Sequence, residues 1–274
     1  MQIVSACLAR DLPVYRNTYR SLRRHLPEAE IHVITRRKDF DPFRSECGSD
    51  LILWDEDHFV AGMTLKQLQQ YPKPFLKKRS GWYFQQFLKL SFLNVANKTD
   101  EYFLIWDADT VLLRPLDFFD VEGRPYYTVA REHHNPYFTT FEALFGKRAH
   151  REFSFISQHQ IIHKATLRKM LAEIETRNPD SKNWAWAIIE NIKGVGISLF
   201  SEYETYGHYL KLNSADAYAL RNLKWTRYGQ KWAGYPPSPD KLEEMSRNFD
   251  YAAFEFHNSK FKRFIRRWKR RLFK

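Results

Sequence analysis

Short apolar runs recur through the first 110 residues, in MQIVSACLA, EIHVITR, DLILWDED and EYFLIWDADTVLL. Segments of helical period lie between them. In PVYRNTYRSLRRHL, residues Val14, Tyr15, Tyr19, Leu22 and Leu26 share one face; in WYFQQFLKLSFLNVA, Tyr83, Phe87, Leu90 and Phe92 or Leu93 do the same. Strand-like runs that alternate with helices predict βαβ units, and so an α/β fold with a mainly parallel sheet flanked by helices. The 274 residues suffice for one large domain or two intimate halves around a sizeable core.

Beyond residue 125 the order is less regular. RPYYTVAR reads as a strand, TTFEALFG as a short helix, and FSFISQHQIIHK as a strand or turn carrying polar groups. ATLRKMLAEIET, WAWAIIENI and SEYETYGHYLKLN read as helices, and YAAFEFHN as a closing strand. The expected organisation is residues 1–110 as one half, 111–258 as a second, mixed half of the same domain, and 259–274 as a tail.

Composition narrows the class. Hydrophobic residues make up 43% and aromatics 16%, which excludes a disordered chain. Two cysteines, Cys7 and Cys47, with no CxxC, argue against a secreted disulfide framework. The start MQIVSACLARD has no basic leader or long apolar region, so no signal peptide is expected there. No apolar stretch reaches the roughly 18 residues of a membrane span. A cytoplasmic location is expected.

EYFLIWDADTVLLRPL places Asp107 and Asp109 one residue apart at the end of an apolar run. In an open α/β sheet, ligands bind beyond the carboxyl ends of the strands. Two carboxylates there would be costly to bury unpaired, and one could simply cap the following turn. The functional alternative is a hard divalent cation, Mg²⁺ or Mn²⁺, held by one or two carboxylates together with substrate phosphates. DADTV also fits the D-x-D-x-[TV] pattern of haloacid-dehalogenase-type phosphatases, whose first aspartate attacks phosphorus. That motif usually opens its domain, whereas about a hundred residues precede it here, and no DD pair or GDxxxD run follows.

SGWYFQQFLKL, YFLIWDADTVLLRP, FISQHQIIHKATLRKML and FSEYETYGHYL occur in that order. Together they resemble a bacterial family of uncharacterised glycosyltransferase-like proteins related to the metal-dependent GT-A glycosyltransferases. The resemblance spans most of residues 1–258. It implies a GT-A-like, Rossmann-type mixed sheet flanked by helices, with a nucleotide-sugar half and an acceptor half. It further implies that Asp107 and Asp109 hold Mn²⁺ or Mg²⁺ against the donor diphosphate, with His257 as a further metal ligand or a plain strand-end histidine. A base for an inverting reaction would lie in SEYE: Glu202, or Glu204, which also suits a capping box behind Ser201. Donor contacts are expected from Lys89, Gln85 and Gln86, from Gln158, His159 and Gln160, and from Cys7, Ala9 and Asp11 at the end of the first strand. The partners would be a nucleotide sugar and a glycan or lipid-linked acceptor, such as lipopolysaccharide core or capsule.

The net charge is +12, and nine of the basic residues lie in SKFKRFIRRWKRRLFK, residues 259–274, which contain no acid; the rest of the chain carries only +3. On a helix, Phe261, Phe264, Ile265, Trp268 and Leu272 share a face, and Lys262, Arg263, Arg266, Arg267, Lys269 and Arg270 cover the rest. That is the pattern of a basic amphipathic helix lying on an anionic inner-membrane surface. Nucleic acid is the rival partner, but no wider basic footprint or nucleic-acid motif supports it. A module acting only through its tail, with no enzymatic activity, is the remaining alternative.

Overall fold

The computed structural model describes residues 1–214 and 216–255. The strands are β1 (Gln2–Ala6), β2 (Glu30–Thr35), β3 (Ile52–Asp55), β4 (Tyr102–Trp106), β5 (Thr110–Leu112), β6 (Tyr126–Thr128), β7 (His159–His163), β8 (Ala219–Arg221), β9 (Trp225–Thr226) and β10 (Tyr251–Ala253). The helices are α1 (Leu12–His25), α2 (Phe40–Cys47), α3 (Leu65–Gln70), α4 (Leu76–Ser91), α5 (Asn135–Phe145), α6 (Lys164–Arg177), α7 (Trp184–Asn191), α8 (Glu202–Asn213), α9 (Gly229–Ala233) and α10 (Pro239–Ser246). His257 and the basic tail 259–274 lie outside the described residues.

The main sheet has the order β3-β2-β1-β4-β7. β1 to β4 run parallel and β7 pairs antiparallel with β4, so the mixed α/β sheet flanked by helices is as the sequence led one to expect. The apolar runs are almost continuous because the strands are covered on both faces. Val4, Phe103, Ile105 and Ile162 join one core with α4 to α8. Their neighbours Ile3, Leu104, Trp106 and Ile161 point the other way, into a core shared with α1, α2 and Tyr251. Among the described residues no helix is long and apolar enough to cross a membrane.

Two elements differ from expectation in ways that build the site. EYFLIWDADTVLL is not one strand: it breaks at Asp107–Asp109, where the Thr110 N–H turns back to the Asp107 carbonyl (3.0 Å). β5 then leaves the main sheet and pairs with β10 in a separate sheet, β5-β10-β9. α4 begins several residues earlier than its apolar period suggested, running through KKRSG with a non-helical kink at Arg79. β8, β9, α9 and α10 fall where the sequence offered no clear period.

Candidate active site

The sheet order reverses between β1 and β4, since β2 and β3 lie on one side of β1 and β4 on the other. A crevice at the carboxyl ends of two such strands is where open α/β sheets bind ligands. Here it is a cleft of about 560 Å³. Ala6 at the end of β1, the Asp107–Asp109 turn after β4, the α4 face with Gln85, Gln86 and Lys89, and the start of α8 all line it.

The centre of the cleft is a charge network. The Lys89 ammonium lies 2.5 Å from Asp107 Oδ1 and 2.6 Å from Glu202 Oε1. Its side chain is only 5% exposed, as is that of Glu202. The Tyr203 hydroxyl donates to the same Asp107 oxygen (2.7 Å), and the Lys89 ammonium lies over the Tyr203 ring, 4.8 Å from its centroid. Burial works to lower the Lys89 pKa, but the two carboxylates outweigh it and hold the amine charged, above its ordinary range. Burial also raises Glu202, with Lys89 pulling against it. The Gln86 side-chain oxygen accepts from the Glu202 backbone N–H (3.0 Å), so α4 and the N-terminus of α8 are tied at this point.

Gln158 adopts a positive φ of 65°, uncommon for a residue with a side chain. The turn directs its carbonyl to the Asp107 N–H (2.9 Å). With its amide oriented to satisfy both neighbours, it donates to Asp107 Oδ2 (3.3 Å) and accepts from Arg227 Nη2 (2.8 Å). Arg227 in turn pairs with Glu132 and, through Nε, with Glu255 (2.9 Å).

Asp109 stands apart. The Phe254 N–H bonds its carbonyl (2.8 Å), which fixes the backbone of this residue beside β10. Among the described residues no side chain donates a hydrogen bond to its carboxylate and no cation pairs with it. Burial, then the charges of Asp107 and Glu255, push its pKa up to about 7. Among the described residues six acids and four bases line the cleft: Asp11, Asp107, Asp109, Glu132, Glu202 and Glu255 against Arg10, Arg79, Lys89 and Arg227.

Of the residues singled out in the sequence, Asp107, Asp109, Lys89, Gln85, Gln86, Gln158, Glu202 and Asp11 line this cleft. Others face elsewhere. Glu204 is 2% exposed and accepts from Ser154 Oγ (2.5 Å) and the Phe155 N–H (3.1 Å), while His208 Nε2 lies 3.1 Å from it. Half of the expected capping box is present, since Ser201 Oγ accepts from the Glu204 N–H (3.3 Å). The Glu204 carboxylate turns inward instead of back to Ser201. His159 alternates to the opposite face of β7 and stacks on Trp106 at 5.0 Å between ring centroids. Burial, with help from Arg221, lowers its pKa to about 3. Gln160 is buried and donates to the Tyr203 carbonyl (3.1 Å). Cys7 packs in the core around α1, and burial pushes its thiol up; Ala9 opens the short turn before α1. Sequence reasoning missed Arg227, Glu132, Glu255 and Tyr203 from the network, and Arg79, Trp82 and Tyr137 from the rest of the lining.

Residues 9–231 match the family described as "Family of unknown function (DUF6492)". The chain belongs to this family. No curated protein matches it by sequence. The solved structures that match the chain include three glycosyltransferases. One is the galactosyltransferase LgtC in complex with donor and acceptor sugar analogues, at 11% identity, with 93% of this chain and 87% of that chain covered and a TM-score of 0.47. Another is mouse xyloside xylosyltransferase 1 in its apo form, at 11% identity, with 93% and 98% covered and a TM-score of 0.49. A third is glycosyltransferase GlyE of Streptococcus pneumoniae TIGR4, at 15% identity, with 94% and 55% covered and a TM-score of 0.41.

Proposed function

We propose that this protein is a metal-dependent glycosyltransferase of GT-A type, moving a sugar from a nucleotide-sugar donor to a cell-surface glycan such as lipopolysaccharide core or capsule. The observation that carries the reading is the Asp107–Asp109 turn, set at the carboxyl end of β4 where the strand order reverses, inside a cleft where, among the described residues, acids outnumber bases. A donor diphosphate entering that cleft would meet an excess of negative charge, which a divalent cation resolves. The residues fit such an ion. Asp109 offers a carboxylate that no described side chain satisfies, and Asp107 offers its Oδ2 side.

Among the described residues no group of three or more His, Cys, Asp or Glu could hold a metal. Mg²⁺ is commonly bound by one or two carboxylates plus substrate phosphates, so Asp107 and Asp109 together with donor oxygens would be a sufficient ligand set. When bound, the cation would neutralise the departing diphosphate. Lys89 fixes Asp107 and Glu202 relative to each other, and Gln158 and Tyr203 hold Asp107 in place. Glu202, at the first turn of α8, is assigned to take the acceptor hydroxyl proton. The acceptor oxygen bonds to the sugar as the sugar–phosphate bond breaks, with inversion.

In this reading residues 1–110 serve the donor, residues 111–258 serve the acceptor, and His257 completes the metal set. The basic tail holds the enzyme on the cytoplasmic side of an inner membrane. The phosphatase alternative is less well supported, since about a hundred residues precede the DADTV motif, which usually opens its domain, and no DD pair or GDxxxD run follows it.

The test is to incubate the protein and Mn²⁺ with a panel of nucleotide sugars and glycan acceptors, and to follow release of nucleoside diphosphate. Turnover should appear with one donor and vanish in Asp109→Ala while circular dichroism stays unchanged. Undiminished turnover in EDTA would sink the proposal.

A further inference from the structure

One wall of the cleft ends in the loop KGVGIS, residues 193–198, whose Ser198 still lines the cavity. Val195 at its tip is 97% exposed and Ile197 is 44% exposed. Gly194 and Gly196 flank Val195 with φ of +103° and +133°, conformations that side-chain-bearing residues rarely adopt. The backbone is thus shaped to hold a branched apolar side chain out in water. The base of the loop is fixed. Tyr83 donates from its hydroxyl to the Ile197 carbonyl (3.1 Å) and accepts from the Leu199 N–H (2.9 Å). His134 Nε2 lies 2.7 Å from the Ser198 carbonyl, and Arg79 bonds the Ser198 hydroxyl.

The surroundings are basic. Lys193 is exposed on the loop itself, and Lys77 and Lys78 are exposed on the first turn of α4, directly before Arg79. Arg131 and His133 are exposed ahead of α5, whose Pro136 borders Gly194. Of the acids on the same elements, Glu132 pairs with Arg227, and Glu190 accepts from Tyr71 (3.4 Å) and Ser181.

We propose that this rim seats on an anionic lipid surface, with Val195 and Ile197 entering the headgroup–acyl boundary and the lysines facing anionic headgroups. An apolar tip with Lys193 on the same loop, and with Lys77 and Lys78 exposed beside the Arg79 that anchors it, is complementary to such a surface. A nucleic acid would use the cations and leave the aliphatic tip in water. The contact holds the cleft mouth at the bilayer, where a lipid-linked substrate would be presented, and it holds whatever reaction the cleft runs.

The experiment uses the full chain. Because Cys7 and Cys47 are both buried, Val195→Cys can be labelled with an environment-sensitive nitrobenzoxadiazole dye, with the unsubstituted protein as labelling control. Vesicles of phosphatidylglycerol and phosphatidylcholine should shift the dye to the blue, and brominated acyl chains should quench it. Pure phosphatidylcholine should do neither. Lys77→Ala and Lys78→Ala should each weaken vesicle affinity about fivefold. Binding to vesicles with no change in the dye would place the contact elsewhere and overturn the proposal. So would an absence of vesicle binding, or a shift produced by a single-stranded oligonucleotide and not by anionic vesicles.

Discussion

Lys89 and Asp107, eighteen residues apart on α4 and after β4, meet at 2.5 Å between ammonium and carboxylate, and Glu202 closes the other side of the same amine at 2.6 Å. Taking three charges out of water is unfavourable unless each is paired. Lys89→Met would leave two carboxylates facing each other across an apolar side chain. The expected loss is about 3–5 kcal/mol, read as a lower midpoint in urea unfolding. Lys89→Met combined with Glu202→Gln should recover part of that loss, because one of the stranded charges is gone. Additive losses would show that the bridge contributes little.

His159 gives a pH signature. Its folded pKa of about 3 lies below its ordinary value, so the folded protein keeps it neutral where the unfolded chain protonates it. The unfolded state therefore binds more protons below about pH 6.5, and stability falls as pH drops from there towards 3. The loss is on the order of 4 kcal/mol across that window. His159→Phe should lie below the unsubstituted protein at pH 7, having given up hydrogen bonds to Ser157 and Thr128. Its stability should nevertheless fall less steeply with acid, by about one proton per unfolding event. Parallel slopes for the two proteins would contradict this.

The location of His159 also shows what the sequence could and could not say. SQHQIIH alternates, and period two places residue 159 on the face opposite 158 and 160; the polar letters hid that pattern by suggesting a single cluster. The main sheet was legible because strands buried on both faces must be apolar throughout, as in IHVIT and YFLIW. Asp107 and Asp109 were legible because two acids at the end of a buried strand are costly unless something there compensates their charge. Arg227, Glu132 and Glu255 were not, since each comes from a different segment: the pairing of β9 with β10 sets Arg227 beside Glu255, and Glu132 joins them from the loop between β6 and α5. Tyr203 looked like one more core aromatic between two glutamates. Glu204 looked equivalent to Glu202, and only the hand of α8 separates them, sending one to Lys89 and the other to Ser154.

Gly207 sits in the middle of α8, where alanine would ordinarily gain about 1 kcal/mol of helix propensity. A Cβ there would collide with the ring of Phe155. That ring has little room to withdraw, because Phe155 is 1% exposed and its N–H is held by Glu204 (3.1 Å). Overpacking of this kind costs about 1–3 kcal/mol, so Gly207→Ala should be net destabilising by up to about 2 kcal/mol in a denaturant titration. A stabilised variant would mean that Phe155 moves freely.

Glu202 as the base makes a kinetic prediction. Glu202→Gln keeps the shape of the side chain and removes its ability to take a proton. Turnover should fall by about 10²–10⁴-fold with little change in donor KM. A variant that loses donor affinity and keeps kcat would assign Glu202 to binding alone.

The central claim is that Asp107 and Asp109 hold a divalent cation against a donor diphosphate. Isothermal titration of UDP and GDP into the protein, with Mn²⁺ and then with EDTA, addresses it most directly, with Asp109→Asn as the paired variant. The account predicts that one of the two nucleotides binds in Mn²⁺, that the heat disappears in EDTA, and that Asp109→Asn abolishes binding without unfolding the chain. Equal binding in EDTA, or undiminished binding by Asp109→Asn, would contradict it.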